Sequence, residues 1–184
     1  MTARGRGNTS TIMATRAILT APDPRLRQVS APVERVDDGA RALMDDMLET
    51  MYAAEGIGLA AIQINVPKRI IVMDLAKDDE PRAPLYFVNP EILDPAEETS
   101  LYQEGCLSVP DFFDDVERPV RCRIKFFDYE GKAQILDADG MLATCIQHEM
   151  DHLNGILFID HLSRLKRDRI IRKLKKDQRL ALSA

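Results

Sequence analysis

The chain has 184 residues, of which 45% are hydrophobic and 30% are charged, and its formal net charge is −5. This balance is typical of a globular protein with a core of its own and excludes a chain that is disordered throughout. No apolar run approaches the roughly 20 residues of a membrane-spanning helix, and three cysteines without a secretory signal favour a reducing compartment, so we expect a cytoplasmic protein with no membrane partner.

The first twelve residues differ from the rest of the chain. They are mostly small, polar or basic, contain no acidic residue and show no convincing amphipathic pattern, so residues 1–12 are predicted to be a disordered leader. Their Arg, Ser and Thr content faintly resembles an organelle transit peptide, but the stretch is short, and we do not expect organelle targeting. No linker or internal repeat divides residues 13–184, which we interpret as one domain.

Three segments have the signals of helices. Apolar residues recur at three- and four-residue spacing between residues 38 and 52 and predict an amphipathic helix, which Gly56 and Gly58 are expected to end. Residues 140–153 predict a second helix, with Gly155 as its stop signal. Ser163 is a suitable N-cap for a last helix that runs to about residue 180.

Strand signals lie between the first and second of these helices. β-Branched and aromatic residues predict strands over residues 69–75, 86–90 and 121–128. Pro90 is expected to end the second of them, and the Glu130-Gly131 turn follows the third. The order of helix, strands, helix and helix lacks regular βαβ alternation, which favours an α+β fold over a doubly wound sheet.

The most informative pattern is the HExxH sequence at residues 148–152, in the second predicted helix. Residues four apart on a helix differ by about 40° in direction and about 6 Å in height, so His148 and His152 can bind one cation, and Glu149 can reach a water beside it. The pattern also arises by chance in helices where these residues only pack or face solvent. Two of the chain's three histidines stand here between apolar flanks, which favours a metal site.

A catalytic site of this kind has three protein ligands and an open position. The usual downstream candidates for the third ligand are missing. Phe158 stands six residues after His152, where one class of site has a histidine; no glutamate follows Glu149; and His161 has the wrong spacing.

The three cysteines are the remaining candidates. Cys145 shares the helix with both histidines, but three ligands along one straight helix would span about 10 Å, so Cys145 is interpreted as core packing beside the site. Cys122 stands in an alternating strand and is also interpreted as core. Cys106 follows Gly105, which permits a close backbone approach, and by elimination it is the best candidate, although spacing alone leaves the choice open.

Three segments together resemble motifs of the peptide deformylase family: GIGLAAIQ at residues 56–63, EGCLS at 104–108 and QHEMDH at 147–152. The resemblance extends from about Ala14 to the C-terminus and implies that residues 13–184 are a single catalytic domain. It implies an α+β fold of antiparallel β-sheets around a central HExxH helix, with an N-terminal helix and a C-terminal basic helix. The implied activity is a metal-dependent hydrolysis that removes the N-formyl group from the formylmethionine of newly made polypeptides and releases formate.

The resemblance also implies the reacting groups. One ion per chain is bound by Cys106, His148 and His152, with Fe(II) as the native metal and Zn, Ni or Co as substitutes. Glu149 is the general base, and the Gln63 amide acts with the backbone N–H of Leu107 on the developing negative charge. Without the resemblance, Gln63 would be interpreted as a polar residue that closes a glycine-rich turn.

For the substrate, the resemblance implies that the backbone of Gly58 pairs with the peptide and that an apolar slot takes the methionine side chain. The implied walls of this slot are Ile57, Tyr102, Met141, Thr144 and Cys145. Ordinary core packing accounts equally well for Met141 and Cys145.

Two features near the Cys106 segment stay open. Glu104 and Arg118 are interpreted either as a buried pair or as two surface charges. Phe112-Phe113-Asp114-Asp115 departs from many bacterial members of the family, which carry here a basic residue that helps to hold the peptide. The departure leaves the contacts to the downstream part of the substrate undecided.

The last predicted helix is strongly basic. Residues 164–179 contain nine Lys or Arg against two Asp, which leaves a net charge of −12 on the rest of the chain. This helix is interpreted either as a contact to the ribosome and its RNA or as a solvated face. Two other functions fit part of the pattern, namely an HExxH peptidase and a non-catalytic metal-stabilised module of the ribosome. We expect a monomer that acts on formyl-methionyl nascent peptides.

Overall fold

The computed structural model describes residues 14–77 and 79–183. The predicted leader, residues 1–12, lies outside the described residues. The division of the chain into this leader and one catalytic domain of residues 13–184 therefore stays a prediction. No helix within the described residues is both long and apolar enough to cross a membrane.

Three α-helices form at the predicted places: α1 (Asp38–Ala53), α2 (Gly140–Leu153) and α3 (Arg164–Leu182). The Ser163 hydroxyl caps α3 by accepting a hydrogen bond from the N–H of Lys166, as predicted. Gly155 follows α2 with a φ of 73°, the left-handed conformation that a glycine stop signal supplies.

The end of α1 differs from the prediction. The left-handed residue behind this helix is Glu55, with a φ of 55°, and neither Gly56 nor Gly58 has a positive φ. Gly56 instead permits close packing, because a Cβ at this position would lie 2.7 Å from a methyl carbon of Leu107. The glycines of this segment therefore do not end the helix; they permit close packing at the site that follows it.

Seven strands form two antiparallel sheets, which confirms the α+β class. The larger sheet has the order β1-β2-β3-β6-β7, and the smaller one pairs β4 with β5. The strands are β1 (Gly58–Ala60), β2 (Ile70–Met73), β3 (Leu85–Pro95), β4 (Thr99–Cys106), β5 (Val109–Pro119), β6 (Arg121–Phe127) and β7 (Ala133–Asp139).

Pro90 does not end the strand in which it lies, contrary to the prediction. β3 continues to Pro95, and its pairing with β6 shifts register between Val88 and Glu91. Asn89 takes a φ of 51° at this irregularity. A β-bulge accommodates a proline because the ladder is already interrupted there.

The core has an apolar layer on each face of β2. All four residues of this strand are buried; Ile71 and Met73 belong to the cluster that includes α2, and Ile70 and Val72 belong to the cluster that includes α1. Since successive strand residues point to opposite faces, a run of four apolar residues is what a strand between two helices requires. The sheet thus holds α2, with its HExxH sequence, inside the molecule.

Candidate active site

Two histidines and one cysteine converge at the end of β4. His148 and His152 project from α2 with only 8% and 1% of their surface exposed. One ligand atom from each of Cys106, His148 and His152 lies within 4.8 Å of the other two, and the Cys106 Sγ is 3.2 Å from the His152 Nε2. Bonds of about 2.0–2.3 Å from a single ion can reach donors at such separations. The three side chains therefore fit a metal.

The hairpin of β4 and β5 places Cys106. Cys106 pairs with Val109 across a tight turn, and the register shifts between Gly105 and Cys106. This shift is a β-bulge, a device that re-aims a side chain. The other two cysteines are less suited to a metal, because burial raises the pKa of Cys122 to about 11 and raises that of Cys145 well above its usual value.

A chain of buried charges orients His148. Its Nδ1 donates to Glu104 over 2.8 Å, which leaves Nε2 as the metal-facing atom. Arg118 donates to both oxygens of Glu104, at 2.5 and 3.0 Å, so the predicted pair is present and buried. Burial alone would raise the pKa of Glu104, but the hydrogen bonds from His148 and Arg118 outweigh it and lower this pKa to about 2.

The same chain continues to the surface through residues that sequence reasoning missed. Arg118 also donates to Asp151 over 2.9 Å, and the Asp151 carboxylate lies 2.7 Å from the Nε2 of His161. The third histidine of the chain is thus a partner of Asp151. The only signal in the sequence was the position of Asp151 inside the HExxH segment.

Gln63 lies beside the ligands with its amide fixed at both ends. Its Oε1 accepts from the N–H of Ala60 over 2.8 Å, and its Nε2 donates to the Ser108 hydroxyl over 3.0 Å, with the Cys106 Sγ 3.7 Å away. Gln63 therefore presents N–H donors towards the cysteine ligand. Ser108, which fixes this orientation, was not identified from the sequence.

Glu149 is buried next to the histidines, and one of its carboxylate oxygens makes no hydrogen bond. It is 4% exposed, its Oε2 has no hydrogen-bond partner, and burial raises its pKa to about 7. Gly58 stands against it, because a Cβ at this glycine would lie 2.5 Å from the Glu149 Oε1 and 3.1 Å from the Cys145 Sγ. An unpaired buried carboxylate of this kind can accept a proton from a small molecule in the cleft.

These groups open into a cleft of about 650 Å³. All of the predicted site residues except His152, which lies behind the others, line this cleft. They are Ile57, Gly58, Gln63, Tyr102, Cys106, Leu107, Met141, Thr144, Cys145, His148 and Glu149. The Thr144 hydroxyl donates to the backbone oxygen of Gly140, so its hydrogen bond is made within the helix.

The cleft also has lining residues outside the predicted site residues, and two of them, Phe112 and Phe113, belong to the segment whose substrate contacts the sequence left undecided. Glu55 and Asp111 stand at its rim as exposed acids, and Phe112 and Phe113 line it from β5. Asp111 has a φ of 65°, a conformation in which aspartate is better tolerated than most residues. Asp111, Phe112 and Phe113 follow from the path of the β4–β5 hairpin, whose pairing left no clear pattern in the sequence. Glu55 lies directly behind α1.

Comparison with protein families gives a match to one family model. The model is described as polypeptide deformylase and covers residues 15–168. Among curated relatives, the peptide deformylase of Phenylobacterium zucineum is 63% identical over 169 residues, which are 92% of this chain and 100% of the relative. The peptide deformylase of Hyphomonas neptunium is 68% identical over 165 residues, which are 89% of this chain and 94% of the relative.

Several solved structures with the same fold contain a bound molecule. The peptide deformylase from Ehrlichia chaffeensis in complex with actinonin has a TM-score of 0.87 and 47% identity, over 91% of this chain and 99% of that one. The class I type b enzyme from Acinetobacter baumannii, bound to Met-Ala-Ser, has a TM-score of 0.77 and 34% identity, over 82% of this chain and 100% of that one.

Proposed function

This chain belongs to the polypeptide deformylase family, and from that membership we propose how its residues bind a metal, hold a formyl peptide and cleave it. It is an enzyme that removes the N-formyl group from nascent polypeptides. The observation that carries the residue assignments is the convergence of Cys106, His148 and His152 beside the unpaired carboxylate of Glu149. Formate release from a formyl peptide tests the reaction.

Cys106, His148 and His152 are the proposed ligands of one ion per chain. Thiolate and imidazole suit iron, zinc, nickel and cobalt. The family is metal-dependent, and from the family resemblance we propose Fe(II) as the native ion, with the other three as substitutes. Within the described residues the group has three members, which leaves a coordination position open, as a catalytic site requires. Metal analysis of protein purified without oxygen tests this assignment, and zinc alone under those conditions would contradict it.

Glu149 is the proposed general base and acid. A divalent ion at the site supplies a Lewis acid that lowers the pKa of water and polarises the formyl carbonyl. Glu149 takes a proton from the water that attacks the formyl carbon. It then delivers this proton to the amide nitrogen as the C–N bond breaks, so that formate and a free amino terminus are released.

Gln63 and Leu107 are the proposed donors to the developing oxyanion. The Gln63 Nε2 is held near the Cys106 Sγ by its contacts with Ala60 and Ser108, so its direction is set before the substrate arrives. The backbone N–H of Leu107 follows Cys106 directly and borders the same cleft. Donors oriented in advance stabilise negative charge because they need no reorganisation during the reaction.

Two free strand edges are the proposed guides for the peptide backbone. β1 pairs only with β2, and β4 pairs only with β5, so each has one edge without a partner strand within the described residues. Residues at both edges line the cleft, among them Gly58 on β1 and Gly105 on β4. An extended peptide can add to such edges by backbone hydrogen bonds, which supports the assignment of Gly58 as a substrate contact.

Gly58→Ala is expected to lower kcat/KM by about 100-fold, because the new methyl group would displace the Glu149 carboxylate and misplacement of about 1 Å can cost that much. Gly39→Ala is the matched control, since Gly39 lies at the start of α1 and does not line the cleft. Formate release with a formyl tripeptide measures both variants. Equal kcat/KM values for the two variants would contradict the placement of Gly58 against Glu149 in the site.

The methionine side chain is proposed to enter between α2 and the free edges. Ile57, Tyr102 and Met141 are each 40–46% exposed and border the same cleft, so together they offer an apolar surface that a methionine side chain can cover. Thr144 and Cys145 line the same space from α2. Cys145 also belongs to the core cluster around α2, so its contact with the methionine side chain is proposed in addition to core packing.

The basic helix α3 is the proposed contact to the ribosome. Ile170 and Leu174 bury one side of it, and the opposite side carries five exposed cations without an ion pair among the described residues. These cations are Arg169, Arg172, Lys175, Lys176 and Arg179. Cations that repeat at three- and four-residue spacing form one outward face, which suits the phosphates of ribosomal RNA.

Replacing Arg169, Arg172 and Lys176 by Gln is expected to weaken cosedimentation with ribosomes at least about tenfold at low salt and to flatten the salt dependence. Gln substitutions at the exposed Lys68, Lys125 and Lys132 remove the same charge elsewhere and serve as the control. Equal losses in both variants would mean that only net charge matters, and no loss in either would refute the contact.

The remaining proposals concern the cell and the assembly state. All three cysteines are free thiols in the structure, and the substrates are new polypeptides, so we propose that the enzyme acts in the cytoplasm. We also propose that it is a monomer. Cell fractionation tests the compartment. Light scattering after size exclusion tests the assembly state, where a mass of two chains would contradict the monomer.

A further inference from the structure

The segment of residues 14–21 runs beside the active site without lining the cleft. The N–H of Leu19 donates to the backbone oxygen of Gln63 over 2.7 Å, and the N–H of Ala21 donates to the backbone oxygen of Ser108 over 2.8 Å. Gln63 is the proposed oxyanion donor, and the Ser108 hydroxyl accepts from its Nε2. One short stretch of backbone therefore holds both the donor and the residue that orients it.

Both of these backbone oxygens lie where secondary structure offers them no partner. Gln63 stands near the end of the short 3-10 helix Ala61–Ile64, and the last carbonyls of a helix have no partner inside it. Ser108 lies in the turn between β4 and β5 and is completely buried. Since buried carbonyls need a hydrogen bond, the positions of both residues depend on the bonds that Leu19 and Ala21 donate.

The beginning of this segment is fastened to α1. Two guanidinium nitrogens of Arg16 donate to the Asp46 Oδ2, at 3.1 and 2.7 Å, and the N–H of Ala14 donates to the Oδ1 over 3.0 Å. The N–H of Arg16 donates to the Thr50 hydroxyl over 2.9 Å. Asp46 and Thr50 are both buried and lie one turn apart on the same side of the helix. Arg16 thus ties the segment to a rigid support.

The end of the segment is held by α3. The Nε2 of Gln178 donates to the Thr20 hydroxyl over 3.3 Å and to the backbone oxygen of Ala21 over 3.2 Å. Ala21 is completely buried and belongs to the apolar cluster that includes Ile170 and Leu174 of α3. The segment therefore has an anchor at each end.

We propose that residues 14–21 brace the oxyanion donor, and that Arg16 and Gln178 are positioning residues that hold the direction of the Gln63 amide through this brace. The inference rests on the role proposed above for Gln63. Neither Arg16 nor Gln178 lines the cleft, so each acts on the reaction through the brace and not by contact with the substrate.

The expected effect lies in kcat. Loss of an oxyanion donor costs about 100- to 1000-fold, and misplacement by about 1 Å costs about 100-fold. A brace that loses one anchor keeps its backbone bonds, so we expect Arg16→Ala to lower kcat by about tenfold. Gln178→Ala should lower it by about threefold, because the bonds of this amide are neutral. KM should stay the same, since the donor acts on charge that develops only in the transition state.

The test is a double-mutant cycle on the metal-loaded enzyme, with formate release from formyl-Met-Ala-Ser as the signal. Arg16→Ala is measured in the wild type and in Gln63→Leu, a variant that keeps the bulk of the side chain and removes the amide. With no amide left to hold, the loss of kcat should shrink to about twofold or less. Arg16→Lys, which keeps a cation beside Asp46, should recover part of the wild-type rate.

Arg123→Ala is the matched control. Arg123 donates to Asp137 in an ion pair of the same kind, its side chain is 51% exposed against 44% for Arg16, and it does not line the cleft. Its loss should leave kcat unchanged in both backgrounds. The midpoint of thermal unfolding is measured for every variant, because a loss of stability alone would lower the rate by the same factor with and without the Gln63 amide.

An unchanged kcat in Arg16→Ala, or an equal fall in both backgrounds, would overturn the inference and leave the deformylase activity intact. If Arg16→Ala does not fold, Gln178→Ala is held to the same two criteria. Full activity of Gln63→Leu would overturn the role of Gln63 and the inference with it. Failure of the wild type to release formate would overturn the activity itself and everything that rests on it.

Discussion

Replacing Glu149 by glutamine is expected to lower kcat by about 10³- to 10⁴-fold while the protein still binds one ion per chain. The substitution keeps the shape of the side chain but removes its capacity to take a proton. Glu149 is 4% exposed and its Oε2 has no partner, so no other described residue is placed to replace it in that role. Glu149 moves the proton both when water attacks and when the amine leaves. The expected loss therefore lies at the upper end of what general acid–base catalysis contributes.

The measurement is formate release under saturating formyl peptide, with metal content determined on the same sample. Glu91→Gln is the control, because this glutamate is exposed on β3 and does not line the cleft. A Glu149→Gln enzyme that retains a tenth of its activity or more would show that another group moves the proton. Loss of the metal from this variant would make Glu149 part of the binding site.

Replacing Cys106 by alanine is expected to remove the metal and, with it, all measurable turnover. Loss of a residue that only supports a ligand lowers metal affinity by about 10- to 100-fold, so loss of one of three ligands should exceed about 100-fold. The Cys106 Sγ is 3.2 Å from the His152 Nε2, and the hairpin turn holds it there. The chain should keep its fold, because Cys106 is only partly buried and packs against just one of the three apolar clusters.

The other two cysteines provide the controls for this result. Cys122→Ala and Cys145→Ala should both retain one ion per chain, because burial keeps their thiols protonated. Metal content by mass spectrometry of protein purified without oxygen distinguishes the three variants. A metal-free Cys145→Ala beside a metal-loaded Cys106→Ala would show that the third ligand lies on α2.

The elements predicted from sequence are those whose apolar residues face a core. α1 and α2 carry apolar stripes, and β2 is apolar throughout because each of its faces is covered by a helix. β4 and β5 could not be recognised in this way. Few of their residues are buried, so no apolar pattern marks them in the sequence. The two strands are held together by pairing between residues that are up to twenty positions apart in the chain.

The site residues also differ in how far they could be predicted from the sequence. The spacing of His148 and His152 is a local property of a helix, so their common direction could be worked out from sequence alone. The position of Cys106 depends on a hairpin and a bulge, so this ligand could be predicted only by elimination and by resemblance. The hydrogen bonds of Ser108 to Gln63 and of Asp151 to Arg118 depend on tertiary contacts, which no spacing rule contains.

The most direct test of the account is deformylation by the Fe(II)-loaded protein without oxygen, with formyl-Met-Ala-Ser as substrate and acetyl-Met-Ala-Ser as control. We expect rapid formate release from the formyl peptide and no cleavage of the acetyl peptide. Stoichiometric metal without formate release would contradict it and favour a non-catalytic metal-stabilised module. Cleavage of unformylated peptides at internal bonds would contradict it in favour of an HExxH peptidase.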